Sequence, residues 1–167
     1  MKLAEVLRIL KSLDDEDVDY AIFGAVALNL HGIIRATEDL DLFVRAERQN
    51  IERLRQALKA VYDDPAIDEI NAEELIDDYP AVRYYPPSPG DGGDFYLDIL
   101  TRLGDFARFE DLETQEIEIE GVRARVVTPR TLYWLKKGTV RDKDRMDAAN
   151  IKEKFALSED FESHHGD

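Results

Sequence analysis

Apolar residues recur at helical spacing through Leu3, Val6, Leu7, Ile9, Leu10 and Leu13, which predicts an amphipathic helix over residues 2–13. An acidic turn at 14–17 follows. Val18-Asp19-Tyr20-Ala21-Ile22-Phe23 then reads as a buried strand ending at Gly24. Residues 25–30 predict a short helix stopped by His31-Gly32. Leu40 to Val44 alternates as a strand does, and residues 46–62 return to helical spacing with Ile51, Leu54, Leu58 and Val61 on the apolar face.

Beyond residue 62 the pattern weakens. Residues 63–80 show no strand pattern and allow a short helix at 72–78. Strands are expected at 82–85 and 95–100, separated by a Pro/Gly-rich turn at 86–93. A helical turn is expected at 106–112. Residues 116–119 and 122–127 flank Glu120-Gly121 as a hairpin. Thr128 caps a helix that has Pro129 at its first position and carries Leu132, Trp134 and Leu135, and a last helix spans 142–155. This order predicts an α/β (α+β) fold: a small mixed sheet flanked by helices, with a helical C-terminal segment. Residues 1–157 are expected to form one domain, and 158–167 a polar, disordered tail.

Composition narrows the function. There is no cysteine among the 167 residues, so thiolate metal sites and disulfides are excluded. No apolar run approaches the roughly 18 residues of a membrane span, and the charged N-terminus does not resemble a signal peptide; a cytoplasmic protein without membrane contact is expected. The net charge of −15 argues against broad nucleic-acid binding. Charge is nevertheless unevenly spread. Residues 63–78 hold eight acids and no base, whereas 128–154 hold eight Lys/Arg against four acids and are the place to look for phosphate contacts.

The candidate chemistry lies in Asp39-Leu40-Asp41. Residues two apart on a strand share a face, so both carboxylates project together while Leu40 and Leu42 enter the core. Asp98 repeats the situation between Leu97 and Ile99. If the two strands pair, three carboxylates converge and repel, a conflict that a divalent cation removes. Oxygen ligands suit Mg²⁺, with Mn²⁺ as an alternative, and two ions roughly 3.5–4 Å apart could clamp an in-line phosphoryl displacement.

The run from Gly24 through His31-Gly32, Arg35, Thr37, Asp39 and Asp41 resembles the active-site motif of minimal nucleotidyltransferases of the polymerase-beta superfamily. Tyr96 to Leu100 looks like that family's third-carboxylate strand, and Thr128 through Lys136 to Asp147 resembles the C-terminal helices of its toxin–antitoxin and abortive-infection branch. The resemblance spans about residues 15–152. It implies that Asp39, Asp41 and Asp98 are catalytic and hold the metal, with Asp98 helping to activate the acceptor hydroxyl. Gly24 and Ala25 would bring backbone to the nucleoside triphosphate at a helix start, and Arg35, Thr37, Lys136 and Lys143 would steady phosphates. Many relatives have Gly-Gly or Gly-Ser where this chain has Gly24-Ala25, and Ala25 offers no hydroxyl. His31 reads as a helix-stop residue bonded to backbone; His164 and His165 read as solvated.

The expected function is transfer of a nucleoside monophosphate from Mg-NTP to a hydroxyl on a protein, small molecule or RNA, with a cognate toxin or antitoxin as a further partner. The alternative is a catalytically weak nucleotidyltransferase-fold module that pairs with a partner protein. The acidic 63–78 stretch is expected to be a solvated loop, or else a surface for a cationic acceptor or partner.

Overall fold

The computed structural model describes residues 2–87 and 95–158. Part of the Pro/Gly-rich turn, the tail from residue 159 and both His164 and His165 lie outside the described residues. In chain order the elements are α1 (Leu3–Asp15), β1 (Tyr20–Ile22), α2 (Gly24–Leu30), β2 (Asp39–Val44), α3 (Arg48–Val61), β3 (Ala81–Tyr84), β4 (Tyr96–Leu100), β5 (Arg102–Leu103), β6 (Ala107–Arg108), β7 (Thr114–Ile119), β8 (Val122–Val127), α4 (Pro129–Lys137) and α5 (Asp142–Phe155). Six strands form one mixed sheet in the order β3-β4-β2-β1-β8-β7, while β5 and β6 pair separately. The protein is therefore of mixed α/β class.

The periodicities account for the layers. On β2, Leu40, Leu42 and Val44 alternate with Asp39, Asp41 and Phe43. The leucine face is fully buried in the core to which α1 and α3 contribute Ile9, Leu10, Leu13, Ile51, Leu54 and Leu58. Burying one such leucine stabilises the fold by about 1.5–3 kcal/mol relative to exposure. The aspartate face is dry only at its far end. There Phe43 meets Phe23 edge-on at 5.7 Å, and Phe23 packs against Trp134 and Leu135 of α4. The sheet thus has helices on both faces, and the part of the second face left uncovered carries the carboxylates.

Local expectations hold in most places. Thr128 accepts from Thr131 N–H, and Pro129 opens α4. His31 ends α2, and its Nε2 lies 2.8 Å from the Val127 carbonyl, the helix-stop role expected of it. The 106–112 segment differs: it is the short strand β6 followed by a 3₁₀ turn at Phe109–Asp111. The 63–78 segment is more ordered than its composition suggests. It forms a 3₁₀ turn at Pro65–Glu69 and a π turn at Glu74–Asp78, burying Ile67, Ile70 and Leu75. Its acids are not simply solvated. Asp68 is paired with Arg55 and Lys59, and Glu73 with Arg48, so two of the eight acids meet the basic residues of α3, and most of the others are exposed. Asp64 caps the first turn and accepts from the Tyr84 hydroxyl at 2.8 Å.

Candidate active site

β2 and β4 run parallel, with Asp41 beside Asp98 and Asp39 beside Tyr96. Same-face spacing on β2 and register with β4 therefore gather Asp39, Asp41 and Asp98. One oxygen from each lies within 4.8 Å of the others. All three are only partly buried.

Asp41 is the most strained electrostatically. Burial, then the charges of Asp39 and Asp98, push its carboxyl up to about 7 against an ordinary 3.8; Lys136 and the Ala25 amide oppose the shift but do not cancel it. Three clustered carboxylates offer hard oxygen donors, so the set fits a divalent cation of the Mg²⁺ or Mn²⁺ type.

Gly24 has φ +66°, and a Cβ added there would come within 1.9 Å of Asp41 Oδ2. Only glycine lets the start of α2 approach so closely. The Ala25 amide donates to the Asp41 carboxylate. The two backbone groups expected to meet the triphosphate thus first serve to seat Asp41. Thr37 is likewise engaged: its hydroxyl makes a short hydrogen bond to Asp39 Oδ1.

A cleft of about 560 Å³ opens beside Asp39 and Asp41, within the range of small-molecule sites. Phe23, Phe43, Leu103, Leu132 and Leu135 contribute apolar wall, and Arg35, Lys136, Arg141 and Lys143 contribute cations. Every residue named in advance for nucleotide binding (Gly24, Ala25, Arg35, Thr37, Lys136 and Lys143) lines it. Asp98 stands outside the lining, on the β4 side of the carboxylates.

Two of these cations are held in place. Lys136 Nζ donates to Asp144 at 2.7 Å and to Asp147 at 3.0 Å, and Arg35 Nε lies 3.6 Å from the other oxygen of the buried Asp147. Burial alone would raise Asp144; the Lys136 ammonium and the Thr139 hydroxyl outweigh it and hold this carboxyl low. Asn29 fixes the Arg35 backbone from both sides, at 2.7 and 2.8 Å. The helical spacing of Asp144 and Asp147 already signals a shared face, yet their role in pinning Lys136 and Arg35 depends on how α5 packs on α4.

Arg83 was not foreseen. Its Nε and Nη2 donate to the two oxygens of Asp98 at 2.7 and 2.8 Å, and its guanidinium lies 4.2 Å from the centre of the Tyr96 ring. The Tyr96 hydroxyl in turn donates to Asp39 at 3.3 Å. An arginine alternating with Val82 and Tyr84 carries no sequence signal for this, because the pairing of β3 with β4 decides it.

This sheet, with its carboxylates beside a cleft of mixed charge, is a nucleotidyltransferase fold. Solved structures share it, among them three antibiotic-modifying or nucleotidyltransferase-like proteins. A lincosamide antibiotic adenylyltransferase, LnuA, solved with lincomycin bound, aligns with a TM-score of 0.56 at 14% identity over 91% of this chain and 97% of its own. ANT(2")-Ia in complex with adenylyl-2"-tobramycin gives 0.51 at 17% identity over 91% and 88%. An antigenic nucleotidyltransferase-like protein from Paracoccidioides brasiliensis gives 0.52 at 18% identity over 92% and 78%. At these identities the likeness is one of fold. No curated protein matches in sequence. The family model of the nucleotidyl transferase AbiEii toxin, type IV toxin–antitoxin system, matches residues 8–147, and the chain belongs to that family. Among the described residues, no helix is long and apolar enough to cross a membrane.

Proposed function

We propose that residues 1–157 act as one metal-dependent transferase domain that moves a nucleoside monophosphate from an NTP to a hydroxyl acceptor. The observation that carries this reading is the convergence of Asp39, Asp41 and Asp98 beside a cleft whose other wall carries Arg35, Lys136, Arg141 and Lys143 together with Asp144 and Asp147. The donor's base and sugar lie along the apolar wall, and its phosphates meet Arg35, Lys136 and Lys143. Asp39, Asp41 and Asp98 would hold the cation, Mg²⁺ or Mn²⁺. A cation bound there would supply charge neutralisation to the reacting phosphates. The acceptor oxygen bonds to the α-phosphorus, the bond to the β-phosphate oxygen breaks, and its electron pair leaves with pyrophosphate. Asp98 receives the hydrogen bond of the acceptor hydroxyl, whose proton passes to solvent. Little covalent help is needed; positioning and charge do the rest.

An NTP donor is consistent with a cytoplasmic reaction, and family membership supports a cognate toxin or antitoxin as partner. A catalytically weak module is the rival reading. It draws support from the internal engagement of Lys136, Thr37 and the Ala25 amide.

Incubation with α-³²P-NTPs and Mg²⁺ against tRNA, lysate proteins and aminoglycosides separates the two. Label transfer that disappears in Asp39→Ala and Asp41→Ala is expected. Absence of transfer to every acceptor class would favour the binding module.

A further inference from the structure

The register of β3, β4 and β2 lays two rows of side chains across the open face. In one, Arg83 lies beside Asp98 and Asp98 beside Asp41; in the other, Tyr96 lies beside Asp39. Cross-strand neighbours sit close enough to interact directly. Arg83 closes the first row with a two-pronged bond to Asp98, braced by the Tyr96 ring, and Tyr96 closes the second through its hydroxyl. Neither residue lines the nucleotide cleft. Their place is behind the carboxylates, on the side away from the donor.

A planar fork fixes the plane of the carboxylate it grips, which a single point charge does not. An ionised carboxylate has about four lone-pair sites, so two bonds from Arg83 leave others facing Asp39 and Asp41. We propose that Arg83 is a positioning residue for the metal: its fork, held over the Tyr96 ring, aims Asp98 so that it shares one cation with Asp39 and Asp41. This rests on the metal-site reading above.

The sign of the effect separates positioning from mere charge. By charge alone, a cation beside the site repels the metal, so removing Arg83 would tighten binding. By positioning, removing it loosens binding, since partners that orient metal ligands typically contribute 10–100-fold in affinity. Lysine keeps the charge and loses the fork, so it falls with alanine under positioning and with wild type under charge.

The experiment is titration with Mn²⁺ alone, without nucleotide, by calorimetry and by the electron-spin signal of free Mn²⁺. Arg83→Ala and Arg83→Lys are each expected to raise the Kd by roughly tenfold or more. In an Asp98→Asn background, Arg83→Ala should add no further loss. The Arg83 side chain is 47% exposed, so the variants are expected to fold, and circular dichroism in EDTA verifies this. Unchanged or tighter Mn²⁺ binding in Arg83→Ala, with wild-type binding still abolished by Asp41→Asn, overturns this inference alone. Wild-type binding that is absent, or indifferent to Asp41→Asn, overturns the metal-site reading and this inference with it.

Discussion

Asp41→Asn should make the metal-free protein more stable at alkaline pH. The folded protein holds the Asp41 proton up to about pH 7, whereas the unfolded chain releases it near 3.8. The folded state therefore binds the extra proton between those values. This contribution is complete below the lower value and is lost as pH rises through the upper one. With these two values, linkage gives a loss of about 2.5 kcal/mol between pH 5 and pH 8, an order-of-magnitude figure. For a chain of this size that corresponds to roughly 5–10 °C in Tm. Asparagine can still accept the Ala25 amide while offering an N–H to its acidic neighbours, so the variant should lack the loss. The assay is thermal and urea unfolding of both proteins in EDTA across pH 5–8. Other titrating groups are common to both, so the difference in slope isolates Asp41. Saturating Mn²⁺ should restore wild-type stability at pH 8 by mass action and leave the variant unmoved. Parallel pH profiles of the two proteins in EDTA would refute the reasoning.

Gly24→Ala should destabilise by about 2 kcal/mol or more, because a left-handed backbone costs a non-glycine residue about 1–2 kcal/mol before the contact with Asp41 is counted. The same variant should lose its Mn²⁺-induced rise in Tm, which differential scanning fluorimetry reads. Lys136→Ala should weaken nucleotide binding, measured by calorimetry with a non-hydrolysable NTP. It should also cost roughly 3 kcal/mol in urea unfolding by leaving Asp147 poorly paired, with partial recovery when Asp147→Asn is added.

The strand-and-helix order was legible along the chain because local periodicity reports which face of an element is buried. The Asp39/Asp41 pair was legible for the same reason: a two-residue period places both on one face whatever surrounds them. The last helix, from Asp142 to Phe155, lies where the sequence predicts it. Over 63–78 composition rightly suggested exposed acids but did not show the two turns or the pairing of Asp68 and Glu73. Their partners Arg48, Arg55 and Lys59 stand on α3, and nothing in a charge count says which helix face will lie beside which turn. The same holds at the site. That Asp98 meets Asp41 follows from the β2–β4 register, and that Arg83 grips Asp98 follows from the β3–β4 register; one residue of slip in either pairing would turn these side chains to the opposite face. Sequence alone thus marked the three carboxylates as the candidates for chemistry. Which of them touch, and which cations are already held by Asp144 and Asp147, was decided only by tertiary packing, because those pairings join residues whose proximity no local pattern encodes.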